Sequence, residues 1–186
     1  MSANPQGKGL VPVLEHWQSV QPSVVRPREP QHVLKDYLVS SLVLSADFRF
    51  QPRPGVTYFL YRGDQRWQLS MISPDQWGER SPGDCLGSCQ LQPDMTWALS
   101  ILPSATESPE LHTAMEAFRD GFLDWLDQDG ELEDHLPFYA EQLPYYARLL
   151  AAGMASSLKR SMVLSGLNAR DSRDWLQAMS GQGLLT

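Results

Sequence analysis

The stretch from Phe48 to Ser100 constrains the fold more than any other part of the chain. Apolar and polar side chains alternate from Trp67 to Met71 and again from Met95 to Ser100, which is the two-residue period of a half-buried strand. The run from Val56 to Arg62 is rich in β-branched and aromatic residues, which also favours a strand. This stretch therefore predicts a small sheet with one face that other elements must cover.

Four strands are predicted, and the connections between most of them are short. The predicted strands are Val56 to Arg62, Arg66 to Ile72, Cys85 to Gln92 and Met95 to Ser100. Turn residues Gly63-Asp64 and Pro93-Asp94 join two of the pairs, so we expect successive strands to be antiparallel neighbours in a β-meander. The face that we expect to be buried carries Trp67, Leu69, Met71, Met95, Trp97 and Leu99. Trp97 is predicted to be a core residue.

The same stretch carries a pattern of residues that is similar to a known family. The matching positions are Pro54-Gly55, Tyr58, Leu60-Tyr61, Leu69 to Pro74, Trp77-Gly78, Gly87, Leu91, Asp94 and Thr96-Trp97. With them, roughly Ala46 to Ser100 resembles a bacterial and eukaryotic family known only as a domain of unknown function, DUF2452. The opening Asn4 to Leu10 is similar to the start of its proteobacterial members. The resemblance implies the β-meander and a helix before it, but it carries over no catalytic residues.

Length and composition indicate a single globular unit. The chain has 186 residues, of which 42% are hydrophobic and 20% charged, so it can bury a sizeable core. The net charge of -7 argues against a nucleic-acid partner, since phosphate backbones are bound by basic surfaces. The first apolar run, Leu10 to Leu14, is too short for a signal peptide and is broken by Pro12. No run is long enough to span a membrane, and we expect a cytoplasmic protein.

The predicted fold class is α+β: an N-terminal helix and the four-stranded antiparallel meander, followed by an all-helical C-terminal half. Residues 1–30 hold five prolines and are predicted to form an extended arm, which could pack across the domain or engage a partner. Residues 31–103 hold the helix and the meander, and residues 104–186 a helical region packed on them.

Apolar periodicity and end signals predict the main helices. A stripe at 3.6-residue spacing predicts a helix from Gln31 to Ala46. Ser108 followed by Pro109 predicts the start of another. The longest helix is predicted over Tyr145 to Leu164, with Gly166 as its stop, and a last short helix carries Trp175.

Neither a disulfide nor a metal site is expected. Cys85 and Cys89 lie four residues apart on one predicted strand, which places their Cα atoms about 13 Å apart, well beyond the reach of a disulfide at less than about 7 Å. We predict two buried or half-buried thiols. The segment Asp127 to Gly130 is similar to part of a calcium loop, but Trp125 and Leu136 occupy its first and last ligand positions, so no calcium site is predicted.

A candidate ligand or partner site lies at the loop from Ser73 to Asp84. Its candidate residues are Asp75, Trp77, Glu79, Arg80 and Asp84. They gather beside strand ends, where functional sites are often found, and paired carboxylates can perform acid–base chemistry. The alternative is structural: Pro74 and Gly78 shape a turn, and Trp77 packs beneath it. No catalytic motif is present, so catalytic residues stay unknown and no cofactor is expected.

Two functions follow from these observations. The first is a non-enzymatic protein-interaction module that uses the N-terminal arm or the charged C-terminal helices. Ten acidic residues and one basic residue lie between Ser108 and Glu141, whereas the chain from Gln142 onward is net basic. These charges could bind a partner or could pair with each other. The alternative is an enzyme or small-ligand-binding protein with its site at the loop 73–84.

Overall fold

The computed structural model describes residues 15, 17–138, 140–168 and 170–179. Over these residues the helices are α1 (Pro30–Leu44), α2 (Pro74–Trp77), α3 (Pro103–Thr106), α4 (Pro109–Leu126), α5 (Tyr145–Leu164) and α6 (Ser172–Met179). The strands are β1 (Thr57–Arg62), β2 (Trp67–Ser70), β3 (Asp84–Leu91) and β4 (Trp97–Ile101). Short 3-10 helices lie at Gly78–Arg80 and Leu132–His135. The first fourteen residues of the predicted arm lie outside the described residues.

The described strands form a four-stranded antiparallel sheet, which confirms the predicted α+β class. The strand order is β2-β1-β3-β4, so the simple meander was wrong in one pairing: β2 lies outside β1 and does not contact β3 as a neighbour. The connection 71–83 contains α2 and a 3-10 helix. It is long enough to cross the end of β1, so the rule that short connections join neighbours does not apply to it.

One face of the sheet packs against the helices and forms the core. Tyr58, Leu60 and Leu69 are buried there, and Trp97 is 1% exposed. Helix α1 packs against β4, α5 and α6 and supplies much of the cover. Met71 was predicted on this face but is 61% exposed. Strand β2 ends at Ser70, whose hydroxyl accepts a bond from the Ile72 N–H at 3.0 Å and turns the chain away.

The helix ends follow the predicted signals. The Ser108 hydroxyl accepts a bond from the Leu111 N–H and caps α4, with Pro109 in the first turn. Helix α5 spans the predicted residues, and Gly166 has φ of 65°. The Leu167 N–H then reaches the Met162 carbonyl at 2.8 Å, the bond that closes a Schellman end. Helix α4 ends at Leu126, ahead of Gly130.

Residues 20–29, which we call the strap, run across the folded body without regular secondary structure. Val20 is 4% exposed and belongs to the core, and its carbonyl lies so close to Gly153 that a Cβ there would approach it within 2.3 Å. The Ser23 N–H donates to the Pro93 carbonyl at 2.9 Å, and the Arg26 carbonyl accepts from Ser161 at 2.7 Å. This part of the predicted arm therefore packs across the domain.

Arg28 fixes the C-terminal end of the strap between two carboxylates. Its guanidinium pairs with Asp36 on α1, at 3.0 Å, and with Asp94 in the β3–β4 turn. Its main-chain N–H donates to Ser165 at 2.8 Å. Burial raises the pKa of Asp36 above its ordinary value, and although the Arg28 guanidinium acts in the opposite direction, burial outweighs it. Arg28 therefore pairs with two carboxylates, and burial makes one of them, Asp36, costly to ionise.

We expect Asp36→Asn to leave stability at pH 7 unchanged or to raise it slightly. A carboxyl whose pKa is higher in the folded than in the unfolded state favours folding below the unfolded pKa. That contribution is lost as the pH rises through the folded pKa, so the ionised Asp36 is a net cost at pH 7 and a neutral amide removes it. Thermal unfolding between pH 3 and pH 8 measures the effect. Asp94→Asn is the matched control, and an equal loss of stability in the two variants would contradict the expectation.

Candidate functional site

The loop 73–84 is built by local turn chemistry. Pro74 occupies the first turn of α2, and the Ser73 N–H donates to the Gln76 side chain at 3.2 Å. Gly78 has φ of 55°, a conformation that glycine adopts without strain, and ends the helix. The sequence explains this loop as a capped turn.

Trp77 holds the loop on the sheet. Its ring meets the ring of Tyr61 edge to face, with centroids 6.4 Å apart. Tyr61 is fully buried and donates a hydrogen bond to the Ile72 carbonyl at 2.8 Å, and burial raises the pKa of this phenol. The structural interpretation of this loop placed Trp77 beneath the turn, and in the structure the Trp77 ring packs against the buried Tyr61.

The other candidate residues of the loop do not converge. Asp75, Glu79 and Arg80 are exposed, on α2 and the following 3-10 helix. Asp84 begins β3, opposite Arg62, and accepts a long bond of 3.5 Å from Ser108. It lines a separate open groove of about 850 Å³ between the β1–β2 turn and the start of α4.

The two cysteines are one half-buried and one buried thiol, as predicted. Burial raises the pKa of Cys85, and it raises the pKa of Cys89 to about 12. Neither thiol is a thiolate at neutral pH, so neither is an activated nucleophile. Among the described residues, no group of three or more His, Cys, Asp or Glu side chains is placed to hold a metal ion.

A groove of about 560 Å³ lies beside β4, and we call it the β4 groove. It lies between α1, the strand β4, α3 and the outward face of α4. Its apolar lining is Val39, Leu99, Ile101, Ala105 and Met115, and its polar lining is Lys35, Thr106, His112, Glu116 and Arg119. A groove of this volume, with an apolar lining and several polar groups around it, is typical of a binding site.

Strand β4 is an edge strand, and part of its edge faces this groove. The Gln92 N–H bonds to the Thr96 carbonyl and the Leu102 N–H to the Leu86 carbonyl, so the even-numbered positions of β4 pair with β3. Main-chain groups alternate in direction along an antiparallel ladder. The N–H and C=O groups of Leu99 and Ile101 therefore point away from the sheet.

Some other outward main-chain groups of the two edge strands are paired within the chain. The Trp97 N–H also points outward and donates to the Ser40 hydroxyl of α1 at 2.9 Å. On the opposite edge, Asp47 exchanges main-chain bonds of 2.9 and 3.1 Å with Trp67 and Leu69 of β2. Leu99 and Ile101 are edge positions that line the β4 groove.

The charges around the β4 groove are only partly paired. His112 contacts Glu116 at 3.3 Å along α4. Arg119 donates to the neighbouring Asp120 through Nε and Nη2 at 3.1 and 2.9 Å. Lys35 is exposed and forms no ion pair with any residue that the structure describes.

The acidic and basic segments of the C-terminal half contact each other. Lys159 of α5 pairs with Glu133. Arg173 of α6 pairs with Asp129 at 2.6 Å and with Asp127 at 3.7 Å. Pairing between the acidic and the basic segments, one of the two alternatives considered from the sequence, therefore accounts for part of the uneven charge distribution. A further open groove of about 680 Å³ beside Lys159 is lined by Trp125 and His135, whose rings meet edge to face at 5.0 Å.

Over the described residues, the fold and the groove define a class: an α+β protein with one sheet, in which helices cover one face and an open strand edge faces an apolar groove. The family model described as "Protein of unknown function (DUF2452)" matches residues 27–118. The chain thus carries a domain of this family, as the resemblance implied, and the match includes the sheet and the first part of α4. No solved structure matches the chain significantly. None of the described helices is both long and apolar enough to cross a membrane.

Proposed function

We propose that this protein is a non-enzymatic interaction module that binds an extended segment of a partner protein along the free edge of β4. The observation that carries the proposal is the outward direction of the N–H and C=O groups of Leu99 and Ile101 into an apolar groove. A strand laid beside them gains main-chain hydrogen bonds, which is how sheet edges recognise peptides.

The composition of β4 supports the proposal. Unpartnered edge strands are usually protected by charged residues, proline or a covering element. The strand Trp97–Ile101 contains no charged residue and no proline, and α1 satisfies only its first N–H. Among the described residues, the positions beyond Trp97 therefore lack the usual protection against strand addition.

The groove gives such a strand a second set of contacts. Side chains of an added strand alternate between the two faces of the sheet. Those on the helix side would meet Val39 of α1 and Met115 of α4, while those on the other face would point to solvent. Two main-chain positions, Leu99 and Ile101, provide two donors and two acceptors, so a partner segment of roughly five residues is sufficient.

The alternative site at the loop 73–84 has less support. None of the grooves described above is lined by Asp75, Trp77, Glu79 or Arg80. The ring of Trp77 packs against Tyr61. The charged C-terminal helices are weaker candidates too, because several of their charges pair within the chain. A cytoplasmic location is consistent with two unpaired thiols, since disulfides are rare there.

We expect Leu99→Pro to weaken peptide binding about tenfold while the fold is retained. Proline removes the outward donor of Leu99 and leaves the ladder with β3 intact, and proline is tolerated at such edge positions. One lost hydrogen bond of about 1–1.5 kcal/mol corresponds to roughly tenfold in Kd. The probe is a peptide selected on the wild-type protein from a displayed library of random ten-residue sequences, with Kd measured by fluorescence anisotropy.

Leu99→Ala is the matched control, since it trims the same side chain but keeps the main-chain donor. Amide hydrogen exchange of Leu99 and Ile101, followed by NMR, should slow when the peptide is added. Circular dichroism and thermal unfolding confirm that each variant is folded. Equal binding by the proline variant, protection of amides elsewhere only, or a selection that enriches no peptide would contradict the proposal.

A further inference from the structure

The polar lining of the β4 groove carries an excess of positive charge in an acidic protein. Lys35 and Arg119 line the groove together with one carboxylate, Glu116. The whole chain has a net charge of -7. A local cationic site attracts a negative group of a partner. The rest of the acidic surface repels such a group, so the site selects for a partner whose negative group lies at the matching position.

The two cations of the groove keep donors that are not used within the described residues. Glu116 already contacts His112 at 3.3 Å. Arg119 uses two of its nitrogens on Asp120, and a guanidinium has a third for another acceptor. The Lys35 ammonium has three donors and no ion-pair partner among the described residues. The groove therefore offers donors to a ligand, while one oxygen of its carboxylate already contacts His112.

We infer that the segment bound along β4 carries an aspartate or glutamate whose carboxylate contacts Lys35 and Arg119, next to an apolar side chain on the same face. The inference rests on the proposed strand addition and names the class of partner: an acidic, apolar peptide segment. Side chains two residues apart share one face of a strand. An acid at one such position thus places an apolar residue at the next over the lining formed by Val39 and Met115.

Charge recognition of this kind has a measurable signature. Lys35 is exposed, so its attraction for a carboxylate is screened by salt and weakens as ionic strength rises. The main-chain bonds along β4 and the apolar contacts carry no comparable salt dependence. The affinity of a selected peptide should therefore fall between 50 mM and 500 mM NaCl for the wild-type protein and change little for a variant without the cation.

The test compares two charge reversals at opposite edges of the sheet. Lys35→Glu should weaken binding of the selected peptide roughly tenfold, since it removes an attraction and adds a repulsion. Arg66→Glu is the matched control: it makes the same change in net charge beside β2, where the Arg66 side chain is 85% exposed, and should change Kd less than twofold. Replacing the acid of the peptide by its amide should weaken binding to the wild-type protein but not to Lys35→Glu.

The outcomes separate this inference from the proposed function. Enrichment of acidic residues in the selected peptides, with the expected loss for Lys35→Glu, supports it. Peptides that slow exchange at Leu99 and Ile101 but carry no acid, or that bind Lys35→Glu as tightly as wild type, overturn the inference and leave strand addition intact. Peptides that protect neither amide overturn both, as does a protein whose β4 edge is already closed by self-association in ultracentrifugation.

Discussion

Replacing Trp97 by alanine should lower the free energy of unfolding by about 3–5 kcal/mol, the usual cost of removing a large buried aromatic side chain. Trp97 is 1% exposed and meets the ring of Tyr58 edge to face, with centroids 5.9 Å apart. Its main-chain N–H also joins β4 to Ser40 of α1. The change removes side-chain packing where the sheet meets α1, and it is a large part of a total stability of roughly 5–15 kcal/mol.

Chemical denaturation of the variant, followed by fluorescence and circular dichroism, measures the loss. Trp17→Ala is the matched control, because Trp17 is 48% exposed and its removal should cost no more than about 0.5 kcal/mol. A loss of less than about 1 kcal/mol for Trp97→Ala, the level of a surface change, would show that this side chain is not a core residue.

Arg28→Met should cost about 3 kcal/mol. The methionine keeps part of the aliphatic stem but leaves Asp36 and Asp94 close together without their shared cation. Removing one partner from a buried ion pair typically costs about 3–5 kcal/mol, and the low end applies here because these side chains are 15–29% exposed.

The double variant Arg28→Met, Asp36→Asn should recover part of the loss, since it removes the acid that burial disfavours most. Denaturant unfolding of the single and double variants forms a cycle that isolates the coupling. Additive losses, or a negligible loss for Arg28→Met, would show that the strap is held by its other bonds alone. Arg66→Met is the control for loss of a surface arginine, because the Arg66 side chain, which pairs with Asp47, is 85% exposed.

Much of the fold could be predicted because its signals are local. The Ser108 cap, the apolar stripe of α1 and the glycine stop after α5 each act within a few residues, and the structure places all three as predicted. The order of the strands depends instead on where the connection 71–83 leads the chain. Alternation does not contain that information, and Met71 was misplaced because the turn at Ser70 ends the strand before it.

The β4 groove could not be predicted for the same reason. The spacing of His112, Met115, Glu116 and Arg119 marks one face of a helix, but the sequence does not say that this face lies beside a strand edge. The loop 73–84 was predicted as a candidate site because its charged residues are close in sequence. Its residue Trp77, however, is explained by packing on Tyr61. A pairing map of the strands would have identified the free edge.

The strap has a consequence for the order of events in folding. Its bonds join residues 20–29 to Pro93, Asp94, Ser161 and Ser165, all distant in sequence, and no bond can form before the β3–β4 turn and α5 are in place. Contacts with such long loops are expected to form after the transition state. Weakening the strap should then leave the refolding rate nearly unchanged and accelerate unfolding. The strap therefore lowers the unfolding rate of the native protein.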